Sequence, residues 1–294
     1  MDKLTRLNHI PVFPIKKNAI YKSDKDLCLV YSLWSHKAYV NICFYSILSQ
    51  LVFTDIQDYN IMVYVDESIH NYTCKVLNRI IPNSNIIKIK GEECAKQRVA
   101  IRQELLDYKV IVMSDADNIL QSNNKISIYK KLVGEHLDWP HINFLHRYED
   151  GLNTLAERQH LSEFKDLKNY NEFFKDLIQN LEKNNSWYLT GFISYNKDYI
   201  SLLKVEVDKC VQHKIFCDET VWRMCTINNT IQKEVFNQRH DYLFVTPENI
   251  NLIKNKKDNV MYLIHAFLGE YVDKLQLDLI YYTKEKYINW ENQI

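Results

Sequence analysis

The chain has 294 residues, 46% hydrophobic and 25% charged, enough for one large or two small domains with a substantial core. Lys+Arg and Asp+Glu balance at 37 each, which removes the bulk positive field that a nucleic-acid partner would need. Five Gly and five Pro against 20 Tyr exclude a low-complexity chain, and seven cysteines without a C-x-x-C pair exclude a disulfide framework or a zinc ribbon. Reduced, mostly buried thiols in a cytoplasmic protein are the expectation. Residues 1–17 lack the apolar core of a secretory signal, and no run approaches eighteen apolar residues. No transmembrane segment is expected, and without a clear basic amphipathic helix any membrane contact would be peripheral.

In chain order, residues 27–34 read as a strand and 38–53 as a helix, with Ile42, Tyr45 and Ser49 at helical spacing. A strand over 61–65 ends at Asp66, a helix over 71–81 stops before Pro82, and 85–89 is a third strand. A helix is expected over 93–108, then a strand Val110-Ile111-Val112-Met113 whose lack of alternation indicates burial on both faces. Residues 121–185 read as polar and largely helical, 187–195 as a strand interrupted by Gly191, and 198–214 as a helix. A further segment opens at Asp218, and a last strand over 260–264 ends at His265. Repeated strand–helix–strand order predicts an α/β fold: a single Rossmann-like domain over 1–294 with a mostly parallel central sheet flanked by helices. Residues 27–120 form one expected half and 121–270 a second with a helical insertion at 136–185; 271–294 form a tail.

The segment that carries chemistry is Asp115-Ala116-Asp117, directly after the buried strand. Ligands of open α/β sheets gather at the carboxyl ends of strands. Two carboxylates one residue apart there can converge on a hard divalent cation, Mn²⁺ or Mg²⁺, which commonly bridges to substrate phosphates. The competing reading is a polar loop whose aspartates cap the next helix or turn. On a helix over 93–108, Arg98 and Arg102 fall within the apolar arc, where a guanidinium needs an anion. That anion is either a ligand diphosphate at Arg98 or a core carboxylate, Asp115 included. Lys96 falls on the opposite, polar arc.

With these residues in place, the sequence resembles the GT-A nucleotide-diphospho-sugar glycosyltransferases. Its layout is most similar to the glycogenin and lipopolysaccharide galactosyltransferase group. The resemblance lies in Arg98 ahead of the D-x-D strand, in Leu189-Thr190-Gly191-Phe192-Ile193 as a variant of an Asn-Ser-Gly-type turn, in Asp218-Glu219, and in Ile264-His265 at a late strand end. Thr190 stands where that group has Asn, and no Lys-Pro-Trp follows His265-Ala266-Phe267-Leu268-Gly269. The Asp-Glu pair is more similar to that of the blood-group-type galactosyltransferases. The resemblance implies a hexose transferred from a UDP-sugar to a glycan, lipid-linked or protein acceptor with retention. It also implies that 27–120 is the nucleotide-sugar-binding half and 121–270 the acceptor-binding half, that His265 completes a metal site with Asp115 and Asp117, and that Arg98, Asp115 and Gly191 contact the donor.

Other candidates carry two readings each. Asp218 and Glu219 are either catalytic carboxylates or the cap and first turn of a helix. Tyr31 and Trp34 either stack on the nucleotide base or pack in the core. Asp66 either meets the nucleoside or forms a turn. Trp187, Tyr188 and Trp222 are either an acceptor face or core. A nucleotidyltransferase would need a Gly-rich phosphate loop after the first strand, and residues 31–38 contain no Gly. A non-catalytic carbohydrate-binding protein on the same fold is the other alternative.

Overall fold

A computed structural model describes residues 12–15, 18–19, 22, 24–139, 141–144, 146–158, 174–213, 217–228, 231–235, 242–245, 261–265, 283–289 and 291–292. Its centre is a seven-stranded mixed sheet. Strands β1 (Asp24–Leu33), β2 (Tyr59–Asp66), β3 (Ile86–Ile89) and β4 (Val110–Ser114) run parallel in the order β3-β2-β1-β4. Beyond β4 lie β9 (Phe192–Asn196), β6 (Ile142–Phe144) and β10 (Lys233–Val235). β9 is antiparallel to both β4 and β6, and β10 is parallel to β6. The expected mostly parallel α/β sheet is therefore present, and β4 is central, with a parallel neighbour on one edge and an antiparallel one on the other.

Strand periodicity divides the core into two layers. Leu27, Leu29, Tyr31, Ile61, Val63, Val110 and Val112 enter one cluster, whereas Cys28, Val30, Met62, Tyr64, Ile111 and Met113 enter the other. Helix α1 (Lys37–Phe53) covers the first layer; it is buried nearly all round, as a helix apolar on every face must be. Helix α2 (His70–Leu77) adds Leu77 to that layer, and α4 (Ile128–Asp138) joins it through Ile128, Tyr129, Leu132 and Val133. The second layer is covered by α7 (Ile200–Gln212) and α8 (Asp218–Asn228), through Ile200, Leu203, Trp222 and Cys225. A smaller sheet sets β5 (Asn118–Gln121) antiparallel to β12 (Met261–His265), which pairs with β11 (Tyr242–Val245). Among the described residues no helix is long and apolar enough to cross a membrane.

Two expectations change. The continuous helix over 93–108 is instead a 3₁₀ turn Gly91–Cys94, one α turn, α3 (Lys96–Val99), and a second 3₁₀ segment Gln103–Asp107. Ala95 (ψ 128°) and Arg102 (ψ 139°) are extended and break the ladder, so positions counted at 100° steps do not share a face. The stretch 121–185 is not only helical. Besides α4, α5 (Gly151–Arg158) and α6 (Lys175–Lys183) it supplies β6 to the main sheet and β7 (His146–Tyr148), which pairs with β8 (Trp187–Leu189). Residues 159–173 of that stretch lie outside the described ones, as do 266–270, and 271–282 of the tail.

The start of α4 is held from a distance. Ser127 makes no capping bond, but buried Asp55 accepts the Tyr129 and Lys130 backbone N–H groups through its two oxygens, each at 2.9 Å. A carboxylate at a helix N-terminus satisfies orphan donors and meets the positive end of the helix dipole. Asp55→Ala is expected to lower stability by about 1–3 kcal/mol in urea denaturation without changing the fold.

Candidate active site at the carboxyl ends of β1 and β4

The chain leaves β1 toward β2 and β3 on one side and returns to β4 on the other. The loops after β1 and β4 thus diverge, opening the crevice where doubly wound sheets place their ligands. A cavity of about 420 Å³ lies there, lined by Ser32 and Trp34 at the end of β1, Lys96 on α3, Ser114 and Asp115 at the end of β4, and Asp218 at the start of α8. Trp34 is 50% exposed, leaving its ring at the rim. Beside it Ser35 adopts a left-handed φ of 50°, and the His36 N–H bonds to the Trp34 carbonyl at 2.6 Å. This is a tight three-residue turn in a conformation non-glycine residues seldom take.

The Asp115-Ala116-Asp117 segment is a tight turn closed by the Asn118 N–H on the Asp115 carbonyl at 3.3 Å. The turn is pinned to the break between β8 and β9. The Gly191 carbonyl accepts the Asp115 N–H at 2.7 Å and also the Asn118 side-chain amide. Gly191 therefore acts through its backbone. Asp115 faces the cavity, while Asp117 is buried and within electrostatic reach of Tyr39, which also lines it. Burial, then the Asp117 charge, raises the Tyr39 phenol above its ordinary pKa.

The group at the centre is Lys96. Its ammonium donates to Asp115 Oδ1 at 2.7 Å and to the Thr190 carbonyl, and lies 3.9 Å from Asp218 Oδ2. Thr190 Oγ1 donates to the same Asp218 oxygen at 2.5 Å. Burial pushes the Lys96 pKa down, but Asp115, Asp218 and Glu219 outweigh it and the net shift is upward. Sequence reading missed this residue because the assumed helix turned it outward; its position nineteen residues before Asp115 carried no motif.

The other candidates separate. Asp218 is in the cavity wall, at the first residue of α8, and its carboxylate faces Thr190 and Lys96. Glu219 is buried and accepts a 2.9 Å bond from the Trp187 indole N–H. Asp66 ends β2, where one oxygen takes the Ser68 N–H at 2.9 Å. Its other oxygen and the Trp34 indole nitrogen both crowd Gly91, where an added Cβ would lie 2.9 Å and 3.1 Å from them. Asp66 and Trp34 are thus brought together at one edge of the site, and Gly91 is the residue that fits between them.

Tyr31 is not at the cavity. It is fully buried, its hydroxyl 3.0 Å from Ser46 Oγ, because residue 31 points into the α1 layer. Arg98 lines a separate cavity of about 470 Å³ with Arg102 and Lys204, since the break at Ala95 turns it away from Asp115. Arg102 pairs with Glu104 at 2.9 Å and Glu93 at 3.5 Å. Trp187 and Trp222 are fully buried, so the core reading holds for both. For His265 only the backbone is described: it opposes Asn118 in the β12–β5 register, one residue beyond Asp117. Among the described residues no three His, Cys, Asp or Glu side chains gather as metal ligands. All seven cysteines are free, five of them buried.

No protein-family model matches the sequence, and no curated protein matches it. Several solved structures are similar to the chain. The mannosyltransferase Ktr4p of S. cerevisiae aligns over 76% of this chain and 73% of its own at 11% identity, with a TM-score of 0.44. Core-mannan synthase A of Aspergillus fumigatus, in an Mn/GDP form, aligns over 79% and 82% at 9% identity, with a TM-score of 0.46. The bifunctional glycosyltransferase WbbM aligns over 88% of this chain and 47% of its own at 15% identity, with a TM-score of 0.48.

Removing Lys96 would leave Asp115 and Asp218 facing each other without their shared cation. Lys96→Met is expected to lower the stability of the metal-free protein by about 1–3 kcal/mol in urea denaturation in the presence of EDTA.

Proposed function

We propose that this chain is a metal-dependent glycosyltransferase that moves a hexose-type sugar from a nucleotide-diphosphate donor, a UDP-sugar, to a hydroxyl acceptor. The observation that carries the proposal is the meeting of Asp115, Lys96 and Asp218 in one cavity at the point where the sheet changes direction. Ionisable groups that perturb one another in a cleft are a signature of functional sites. A cavity of about 420 Å³ with one exposed indole at its rim suits part of a nucleotide sugar, the base stacking on Trp34.

The donor set is compatible with a divalent cation. Asp115 and Asp117 lie on one turn, oxygen ligands suit Mn²⁺ or Mg²⁺, and the surrounding carboxylates Asp218 and Glu219 leave the site richer in negative charge than Lys96 alone balances. His265, whose backbone lies across from Asn118, is the proposed third protein ligand. Such a cation, when bound, neutralises charge on the departing diphosphate.

The protein's own groups then take distinct parts. Lys96, relieved of Asp115, donates to a phosphate oxygen while staying within reach of Asp218. Asp218, held by Thr190, sits on the sugar side and stabilises positive charge as the anomeric C–O bond to the diphosphate breaks and the bond to the acceptor oxygen forms. Glu219, oriented by Trp187, adds to the negative field from behind. In a retaining transfer the acceptor proton leaves with the diphosphate oxygen; in an inverting one Asp218 takes it.

The test is a panel of UDP- and GDP-sugars with Mn²⁺, read as nucleotide release with and without glycan acceptors. Wild-type protein is expected to hydrolyse at least one donor slowly in a metal-dependent manner. Asp117→Ala is expected to lose at least about a hundredfold of that rate while remaining folded. Turnover that is undiminished in EDTA, or in Asp117→Ala, would overturn the metal assignment.

A further inference from the structure

Away from the Asp115 cavity, two cations flank one aromatic ring and a third lies within electrostatic reach of both. The Arg223 guanidinium carbon, on α8, lies 5.1 Å from the Tyr188 ring centroid, and Lys233 Nζ, on β10, lies 5.6 Å from it. Arg147, on β7, is the backbone partner of Tyr188 across the β7–β8 ladder. The consecutive elements α8 and β10, together with the distant β7, thus bring like charges to one place.

The charges are poorly matched. Arg223 is 1% exposed, yet only its Nη2 has a partner, the Asn180 side-chain oxygen at 2.9 Å; Nε and Nη1 are buried with no acceptor. Arg147 Nε is likewise buried without an acceptor, while its Nη2 reaches the exposed Glu149 at 2.9 Å. Among the described residues no other carboxylate pairs with any of the three. A buried guanidinium with two idle donors, next to two further cations, is costly unless an anion completes the group. The same crowding acts on Lys233: burial, then Arg223 and Arg147, lowers its ammonium pKa to about 8. The Tyr188 face offsets part of the cost but offers no hydrogen-bond acceptor to the idle donors.

We propose that Arg147, Arg223 and Lys233 form a binding site for an oxyanion, a phosphate ester or a carboxylate, separate from the Asp115 cavity. The planar forks of the two arginines suit the oxygens of either group, and Lys233 adds a point charge. The site goes beyond the sugar-transfer reading and stands without it.

The test is isothermal titration of the full chain in EDTA with inorganic phosphate and, separately, with acetate. Saturable binding of phosphate identifies a phosphate ester as the ligand chemistry, and saturable binding of acetate a carboxylate; either supports the site. Lys233→Gln, at a half-buried position, is expected to weaken binding about tenfold, and Arg147→Gln similarly. Arg223→Gln should abolish binding, provided circular dichroism shows it folded. Lys96→Met should leave the affinity unchanged. No saturable binding of either anion overturns the proposal. So does binding that survives in both Lys233→Gln and Arg147→Gln, or that is lost in Lys96→Met.

Discussion

Strand β4 is hydrogen-bonded along both edges, parallel to β1 and antiparallel to β9, and the candidate site depends on that double pairing. The parallel edge brings the ends of β1 and β4 together and opens the crevice between their diverging loops. The antiparallel edge ends at Ser114 opposite Phe192, which leaves the Gly191 carbonyl free to take the Asp115 N–H. A strand with only one of these neighbours would have either a crevice without a fixed turn or a fixed turn without a crevice. The turn's far side is held by the smaller sheet, where β5 begins one residue after Asp117.

Burial then decides which polar groups can serve a ligand. Ser46, under the sheet, accepts from the Tyr31 hydroxyl and donates to the Asn118 carbonyl, so the residues behind the turn are used up in holding it. Thr190 has two attachments at once, its carbonyl to Lys96 and its hydroxyl to Asp218. Lys96, Asp115, Thr190 and Asp218 form one connected set drawn from four separate segments. Such networks are rigid when every member is satisfied.

Much of the sheet was legible in the sequence because strand burial writes itself as composition. Val110-Ile111-Val112-Met113 has no alternation, and β4 is buried on both faces. Asp115 and Asp218 were legible too, one at a strand end and one at the head of an amphipathic segment, and both line the cavity. Arg98 was misplaced, and Lys96 overlooked, for a single reason: residues 93–108 have helical composition, but extended backbone at Ala95 and Arg102 resets the phase twice. Composition carries no mark of such a break; at Arg102 it accompanies local pairing with Glu93 and Glu104 and a contact with the Tyr64 ring of β2. Tyr31 and Trp34 lie three residues apart on one short segment, yet one is fully buried and the other half exposed. Their difference comes from the strand ending between them, which pattern alone places only to within a few residues.

Lys96 also changes what it means to fill the site. Its ammonium sits on Asp115, so on the proposed reading a cation would not enter an uncompensated negative field but would trade places with a tethered one. What the newcomer gains at Asp115 is offset by what the ammonium gives up there, less whatever the displaced ammonium recovers at Asp218 or on an anion brought in alongside. Discrimination would then follow the difference between two cations rather than the total charge of the pocket. A lone monovalent ion would gain little from the trade. A divalent ion arriving with its own anion would gain on both sides of it.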